Sequence, residues 1–255
     1  GSFTTLIANI SDSELSITTT GSAVDINATS PVITINGNNN VIALVAGNLS
    51  SIYTNQVSEL YIESLTTDLI LQSTATIVVV TSTQLENLTF GALFTVDNLY
   101  LNDVSISSLD LPSAVQNIYI DSTNMTVFDI LGDTSNARAF YLTTPNLSSL
   151  TENANASIQM QVISDVSSFT ISGNYVEGII VGTNFTSVDL SSATFTNLTI
   201  DAAILPIIDV TNSVNSSFNF ITNTVNATVT TNANVIGLQG PSTGSITLNV
   251  FGTGL

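Results

Sequence analysis

Apolar residues recur along the chain in pairs that are separated by one residue, and these triplets return about every ten residues. Leu99-Tyr100-Leu101 and Ile118-Tyr119-Ile120 are two of them. An alternation of period two predicts a short β-strand with both apolar ends on one face. Asn, Ser, Thr and Gly, which favour turns, fill most of the remaining positions. The pattern therefore predicts many short strands joined by tight turns.

The triplets belong to a longer repeat, which is clearest where residues 96–114 are followed by residues 115–133. They fall into two alternating sets, so the repeat is about 20 residues with two strands per coil, and this period is typical of a solenoid. One further apolar residue lies between paired triplets, at Leu85, Ile106, Met125, Leu147, Phe185 and Leu205. Because each coil buries its apolar edge only against the next, we predict an all-β, two-sheeted parallel β-solenoid (β-helix) of about twelve coils.

No change of composition divides the repeat, so we predict a single β-solenoid domain over residues 1–255. The segments 1–12 and 249–255 are predicted to be end coils or assembly segments, because both read as apolar strands. Solenoids usually end in polar caps, since an uncovered coil exposes core and strand edge. Two explanations stay open: the chain is cut from a longer protein, or neighbouring copies cover its ends head to tail.

The charge balance limits the partners of the chain. Charged residues make up 8% of it, with 19 Asp and Glu against one cation, Arg138, and the net charge is −18. Nucleic acid and anionic membranes are not expected as partners, because no cations are available to replace phosphate counterions. The chain has no Cys for disulfides, and no apolar run reaches the ~18 residues of a membrane span. Arg138 is expected to pair with a carboxylate or a turn carbonyl.

The repeat resembles the leucine-rich repeat, L-x-x-L-x-L-x-x-N-x-L, at Val96, Leu99, Leu101 and Ile106 and again at Val115, Ile118, Ile120 and Met125. Val104 and Thr123 stand where that family has a buried Asn, and the second triplet reads as a strand rather than a helix. The chain is therefore more similar to the two-sheeted β-solenoids of surface and adhesion proteins. Its composition, rich in Thr, Asn and Ser, is similar to that of archaeal surface-layer or filament proteins. These resemblances imply an extracellular or cell-surface protein.

The middle residue of each triplet is predicted to face solvent, and coils stacked in register align these residues into strips. One strip contains four of the six tyrosines: Tyr61, Tyr100, Tyr119 and Tyr141. Because Tyr offers a flat apolar ring and a hydroxyl, this strip is a candidate site for carbohydrate or for a protein contact. The alternative is that Tyr is simply a favourable residue on an exposed strand.

The strip on the other sheet is predicted to contain Thr89, Asp110, Asp129, Thr151, Thr170, Asp189, Asp209, Thr228 and Thr247. Its neighbouring aspartates, Asp110 with Asp129 and Asp189 with Asp209, either hold Ca²⁺, which prefers oxygen ligands, or lie apart in solvent. Carboxylates ~5 Å apart also match a retaining glycosidase pair, so a solenoid polysaccharide hydrolase is a further alternative. No nucleophile–base pair or metal cluster can be assembled, so we predict no catalytic residue, no enzyme activity and no cofactor besides Ca²⁺.

Eleven N-x-S/T sequons are candidate glycosylation sites of a secreted protein. Their asparagines are Asn9, Asn27, Asn48, Asn87, Asn124, Asn146, Asn155, Asn184, Asn197, Asn215 and Asn226. Chance alone gives about eight, from 28 Asn and 70 Ser and Thr in 255 residues. Composition therefore accounts for most of them.

We therefore predict a secreted, non-enzymatic structural protein of a cell surface that self-assembles head to tail into a filament, layer or sheath. Backbone pairing and apolar burial at the coil ends would join the copies, and acidic, glycan-bearing sides would keep the assemblies apart. The first alternative is an adhesin or carbohydrate-binding module that uses the tyrosine strip. The predicted partners are further copies of the chain and, in the alternative, a surface polysaccharide.

Overall fold

The computed structural model describes residues 3–7, 14–18, 21–92, 94–110, 115–132, 138–153, 158–183, 185–203, 207–210, 217–222, 226–231, 235–239 and 245–250. The regular elements among these residues are all β-strands. In chain order they are β1 (Phe3–Ile7), β2 (Leu15–Thr18), β3 (Gly21–Ala28), β4 (Val32–Asn36), β5 (Asn39–Ala46), β6 (Ser51–Ser64), β7 (Asp68–Thr81), β8 (Asn87–Phe90), β9 (Thr95–Asn102), β10 (Ser108–Asp110), β11 (Val115–Asp121), β12 (Val127–Leu131), β13 (Arg138–Thr143), β14 (Ser149–Glu152), β15 (Ile158–Ile163), β16 (Ser168–Gly182), β17 (Ser187–Ala202), β18 (Ile207–Val210), β19 (Ser217–Thr222), β20 (Asn226–Thr231), β21 (Val235–Gln239) and β22 (Ser245–Val250). The described part of the chain thus contains no helix long and apolar enough to cross a membrane.

The strands pair in parallel from one coil to the next, which confirms the predicted parallel β-solenoid. Between residues 21 and 203, where the description is most nearly continuous, the chain makes about nine turns of roughly 19 residues. Registered strands continue the pairing before and after this range. The about twelve coils predicted for the whole chain therefore differ only slightly from the observed number.

Contacts divide the chain into two compact units, an N-terminal unit (Gly1–Asn124) and a C-terminal unit (Met125–Leu255). The single domain over 1–255 stays a prediction, as does the assembly role of residues 1–12 and 249–255, of which 1–2, 8–12 and 251–255 lie outside the described residues. Each unit contains two parallel sheets, which we call sheet 1 and sheet 2.

In the N-terminal unit, sheet 1 contains β1, β3, β5, β9, β11 and the second halves of β6 and β7. Sheet 2 contains β2, β4, β8 and the first halves of β6 and β7, and β10 lies next to β8. The long strands β6 and β7 run through the corner from sheet 2 into sheet 1. Gln56 takes a positive φ of 48° at that corner, where the register of β6 against β7 shifts.

In the C-terminal unit, sheet 1 contains β13, β15, β19, β21 and the second halves of β16 and β17. Sheet 2 contains β12, β14, β18, β20, β22 and the first halves of β16 and β17. Here β16 and β17 are the strands that pass through the corner. Gly173 provides the bend in β16 with a φ of 114°, a conformation that glycine adopts without steric cost.

The apolar ends of the triplets form the core, as the alternation predicts. In sheet 1 of the N-terminal unit, Leu60, Val78, Leu99 and Ile118 follow one another in register and are fully buried. Each such side chain contributes roughly 1.5–3 kcal/mol by leaving water. The single apolar residues between triplets are buried as well, at Leu85, Ile106, Met125, Leu147 and Phe185, while Leu205 lies outside the described residues.

In each unit, buried serine side chains lie at the corner that follows sheet 1. Ser82 Oγ donates to the carbonyl of Thr66 at 3.2 Å, and Ser164 Oγ donates to the carbonyl of Leu147 at 2.7 Å. In each case the acceptor lies in the corner loop of the preceding coil. Ser122 makes the equivalent bond. These bonds satisfy buried loop carbonyls, which would otherwise cost free energy. In the sequence these serines look like ordinary turn residues.

The predicted register on sheet 2 of the C-terminal unit is wrong at two coils. Thr151 pairs with Ser172, and Asp209 pairs with Thr230, in each case two positions beyond the predicted Thr170 and Thr228. The physical reason is coil length: the paired residues are 21 positions apart in both coils (151 to 172 and 209 to 230), whereas the predicted pairs are 19 apart. Because the shift is two residues, the same set of side chains still alternates outward.

Candidate binding face

The middle column of sheet 1 in the N-terminal unit forms in the predicted order. Register places Ala43, Tyr61, Val79, Tyr100 and Tyr119 side by side on successive strands. The residues on either side of each in the sequence are buried and apolar. Alternation along each strand therefore directs this column to the outer face.

Tyr100 and Tyr119 stack face to face, with ring centroids 4.4 Å apart and planes 8° from parallel. Rings lying side by side on the sheet could not approach so closely, so these rings stand upright on it. One face of each ring is covered by the other ring. Both side chains are half-buried, and this stacked arrangement is not revealed by the sequence.

Polar side chains border the stacked pair. Asn117 Nδ2 donates a hydrogen bond of 2.9 Å to Asn98 Oδ1, and these residues precede Tyr119 and Tyr100 by two positions. Asn102 and Asp121 follow the tyrosines by two positions and are in register with each other. A ligand on this face would therefore meet amide and carboxylate groups beside the aromatic edges.

Tyr61 stands apart from the stacked pair, because Val79 lies between Tyr61 and Tyr100. Its side chain is 39% exposed, and its hydroxyl donates to Glu59 Oε2 at 2.7 Å. This hydrogen bond, together with partial burial and the negative charge of Glu59, raises the pKa of Tyr61 above its ordinary value. Tyr61 therefore stays protonated across the neutral range.

Tyr141 lies on sheet 1 of the C-terminal unit, where the outer face is more polar. It is exposed and in register with Gln161, which pairs with Ile179. A shallow depression beside Tyr141 is lined by Gln159, Gln161, Glu177 and Ile179. The structure thus places three of the four candidate tyrosines in one unit and the fourth in the other, and their binding role stays a prediction.

The candidate calcium residues lie on sheet 2. Asp189 and Asp209 are in register, as predicted, but the Asp209 side chain lies outside the described part. Asp189 accepts hydrogen bonds from Ser191 Oγ at 2.6 Å and from the Ser191 backbone N–H at 3.0 Å, which lower its pKa. Asp110 is exposed in the N-terminal unit, and Asp129 is half-buried in the C-terminal unit.

No cluster of three or more acidic, Cys or His residues occurs among the side chains that the structure describes. The Ca²⁺ site and the hydrolase alternative therefore stay predictions. The carboxylate of Asp189 already accepts hydrogen bonds from Ser191 on the same strand.

The sequon asparagines whose side chains the structure describes are all exposed: Asn27, Asn48, Asn87, Asn124, Asn146 and Asn197. The side chains of Asn9, Asn155, Asn184, Asn215 and Asn226 lie outside the described part. Asn87 Nδ2 donates a hydrogen bond of 2.7 Å to Asp68 Oδ1. The side chain of this sequon asparagine therefore also links two coils.

Several sequons share one position in the coil, directly before the buried apolar residue of the corner. Asn48-Leu49-Ser50 and Asn146-Leu147-Ser148 are examples. Ser50 Oγ donates to the carbonyl of Pro31, and Ser148 Oγ donates to the carbonyl of Thr126, both at 2.9 Å. The hydroxyl that completes the sequon thus ties one coil to the preceding coil, which gives the excess of sequons over chance a structural reason.

Two charged side chains are buried in the C-terminal unit, Arg138 and Glu152. Arg138 is 2% exposed, and burial lowers its pKa. Glu152 Oε2 accepts a hydrogen bond of 2.9 Å from the Asn174 backbone N–H, next to the bend at Gly173. The sequence analysis missed this arrangement, although Glu152 ends β14 two positions after the buried Leu150 and so continues the inward alternation. The predicted partner of Arg138, a carboxylate or a turn carbonyl, stays a prediction.

Comparison of the chain with protein-family models, with curated proteins and with solved structures finds no match. The function of the chain must therefore be argued from its own geometry.

Proposed function

We propose that the chain is a secreted, non-enzymatic structural protein of a cell surface that assembles head to tail into a filament, layer or sheath. One observation supports this proposal most directly: Arg138, the only Lys or Arg of the chain, is buried. The charged side chains at the surface are then all carboxylates, and the net charge is −18. Such sides repel each other and keep neighbouring assemblies apart.

Association between copies is accordingly confined to the coil ends. An end coil offers unpaired backbone N–H and C=O groups and apolar core to a second coil of the same shape. A heterologous contact of this kind grows without closing, which gives a filament. The similarity in composition to archaeal surface-layer or filament proteins agrees with this role.

Electron microscopy of the purified protein over a range of concentrations tests the proposal. We expect filaments or sheets of constant width, and Ca²⁺ is expected to promote lateral association by bridging carboxylates of neighbouring copies. Monodisperse single copies at high concentration, with and without Ca²⁺, would contradict self-assembly.

A second function, carbohydrate binding, is favoured by the tyrosine strip. Tyr100 and Tyr119 form a stacked, half-buried pair on the outer face, and the hydrogen-bonded amides of Asn98 and Asn117 lie beside them. Polar groups that are fixed in place before binding lose less entropy when a ligand arrives. We propose that this surface acts as an adhesive face toward a surface polysaccharide.

Polysaccharide pull-down with a Tyr100→Ser, Tyr119→Ser and Tyr141→Ser variant tests this second function. We expect loss of binding with retained fold, measured by circular dichroism. Tyr53→Ser is the matched control, because Tyr53 lies on sheet 2 between Thr34 and Gln72. Equal binding by the parent protein, the triple variant and Tyr53→Ser would contradict the carbohydrate function.

We also propose that the exposed corner sequons carry glycans in the secreted protein. Asn48 and Asn146 are exposed and lie outside the strands. Mass spectrometry of the native protein should find occupancy at these residues before the strand positions Asn87 and Asn197. Full occupancy at the strand positions alone would contradict this preference.

A further inference from the structure

The outer face of sheet 1 in the N-terminal unit contains an apolar area around Tyr61. We call it the Tyr61 patch, and register defines it as three adjacent rows: Val41, Ala43 and Val45; Glu59, Tyr61 and Glu63; Ile77, Val79 and Thr81. Val45 is 47% exposed, and Leu65 at the neighbouring corner is 58% exposed. Exposed apolar patches of this kind usually mark contacts.

The patch contains a shallow depression next to the tyrosine ring. Val45, Tyr61, Glu63, Val79 and Thr81 line it. A second depression, lined by Val45, Glu63 and Leu65, adjoins it at the corner. Since the Tyr61 hydroxyl bonds to Glu59, the ring leans away from Glu63 and leaves the apolar floor beside Glu63 open.

The spacing of the aromatic residues suits a ring-shaped ligand. Tyr61 and Tyr100 lie two strands apart with Val79 between them. Two strand spacings are about 9.6 Å. A saturated six-membered ring therefore fits over Val79 between the two tyrosines, whereas the stacked pair leaves no such gap between its rings.

The charges select the ligand further. Glu59 and Glu63 flank Tyr61 on the same strand, and an aromatic ring next to carboxylates attracts a cation. The only cation of the chain is buried, so a second copy cannot supply the complementary charge. Anionic polymers are repelled by the carboxylates of Glu59 and Glu63.

We propose that the Tyr61 patch binds an amino-sugar residue of a polysaccharide, with the sugar ring against Tyr61 and Val79 and its ammonium group at Glu63. This inference rests on the proposed carbohydrate-binding function and names its ligand class. It does not depend on the proposed self-assembly.

Two oligosaccharides that differ only in charge test it: β-1,4-linked glucosamine and β-1,4-linked N-acetylglucosamine of equal length, at pH 5.5. We expect the glucosamine oligomer to bind at least about tenfold more tightly in calorimetry. Glu63→Gln should remove this preference, and Tyr61→Ser should weaken both ligands. Glu86→Gln, at an exposed position directly before β8 of sheet 2 in the N-terminal unit, is the matched control and should leave binding unchanged.

Equal affinity for the two oligomers would overturn the assignment of the ammonium group, while leaving carbohydrate binding itself supported. Binding of neither oligomer would overturn both. Oligolysine separates general attraction of polycations from recognition of the sugar. If oligolysine binds as tightly as the glucosamine oligomer and Tyr61→Ser changes neither affinity, the patch is no sugar site and the inference fails.

Discussion

The two units differ in where most aromatic rings of sheet 1 lie, with Tyr141 as the outward exception in the C-terminal unit. In the N-terminal unit, Tyr61, Tyr100 and Tyr119 lie outside, over an interior of Ile, Leu and Val. In the C-terminal unit, Tyr175 and Phe195 lie inside, stacked with centroids 5.1 Å apart. The same architecture thus uses aromatic residues in two different ways.

The difference is clearest at the first inward position of sheet 1. In the N-terminal unit this position holds Val57, Ala75, Val96 and Val115 in register. In the C-terminal unit it holds Arg138, Ile158, Tyr175 and Phe195. The larger side chains require space, and the sequence provides it at Gly178. A Cβ atom at Gly178 would lie 2.6 Å from Phe195 Cε1, closer than real contacts allow.

The comparison shows which aromatic residues the fold requires. The inner rings depend on glycines that make room for them, so the residue type at each inner ring position is set by packing. The outer tyrosines have no such dependence, because solvent adjoins them. Packing of the core therefore does not require their grouping in the N-terminal unit.

The largest expected effect concerns removal of an inner ring. Phe185 is fully buried and stacks on Phe169 with centroids 5.8 Å apart. Phe185→Ala should lower the free energy of unfolding by about 3–5 kcal/mol, because it leaves a cavity. Urea denaturation followed by circular dichroism measures the change.

The outer counterpart is Tyr100→Ser, which removes a ring from the stacked pair. We expect a loss of at most about 1 kcal/mol, the range of one cross-strand pair. If the outer substitution destabilised the protein as much as the inner one, the outer tyrosines would be structural, and the contrast between the two units would be lost.

The next effect concerns the space that Gly178 provides. Gly178→Ala forces contact with the Phe195 ring and should cost about 1–3 kcal/mol by overpacking. Adding Phe195→Leu to this variant should recover part of the loss, since the clashing ring atoms are removed. Thermal unfolding of the single and double variants gives the coupling energy.

Gly47→Ala is the matched control in the N-terminal unit, because nothing lies within 4 Å of a Cβ atom there. It should leave stability nearly unchanged. Additive losses in the Gly178→Ala and Phe195→Leu pair, with no recovery, would show that the glycine serves a purpose other than housing the ring.

The buried and exposed tyrosines should also separate in an alkaline titration. Burial and the charge of Glu152 raise the pKa of Tyr175 far above its ordinary value, so the folded state keeps its proton. The stabilisation that comes from burying protonated Tyr175 is fully present below the pKa of an unfolded tyrosine, about 10, and is lost as the pH rises above it. Absorbance at about 295 nm should show one tyrosine that ionises only with unfolding, and Tyr175→Phe should abolish that step. A Tyr175 that titrates reversibly in the folded state contradicts its burial.

Sequence alone predicts the architecture because the apolar alternation is tied to burial. Leu99 and Leu101 must face inward for the coil to exclude water, and the parallel pairing of equivalent triplets follows from the repeat. The register at Thr151 and Asp209 could not be predicted, because polar corners of different length leave no mark in the apolar pattern.

The candidate site was only partly predictable for a similar reason. Alternation placed Tyr61, Tyr100 and Tyr119 on one outer column, but it could not show that two of the rings stack while the third bonds to Glu59. Such details depend on side-chain rotamers, which neighbours on other coils select. The burial of Arg138 and Glu152 was missed as well, because charged residues are ordinarily exposed.

The smallest expected effect lies on sheet 2, at Asp189. Hydrogen bonds from Ser191 lower the pKa of Asp189 in the folded protein. The ionised carboxylate therefore stabilises the fold at pH values above the pKa of Asp189 in the unfolded chain, and this stabilisation is lost as the pH falls through the pKa in the folded protein. Asp189→Asn should therefore lower stability slightly at pH 7, by no more than about 0.5 kcal/mol because the carboxylate is exposed and screened. Near pH 3 the variant and the parent protein should converge. Asp97→Asn, an exposed aspartate of sheet 1 in the N-terminal unit, is the control. If the stability difference between Asp189→Asn and the parent protein grew toward pH 3, the charge of Asp189 would not be its cause. The hydrogen bonds from Ser191 would then not explain the contribution of Asp189 to stability.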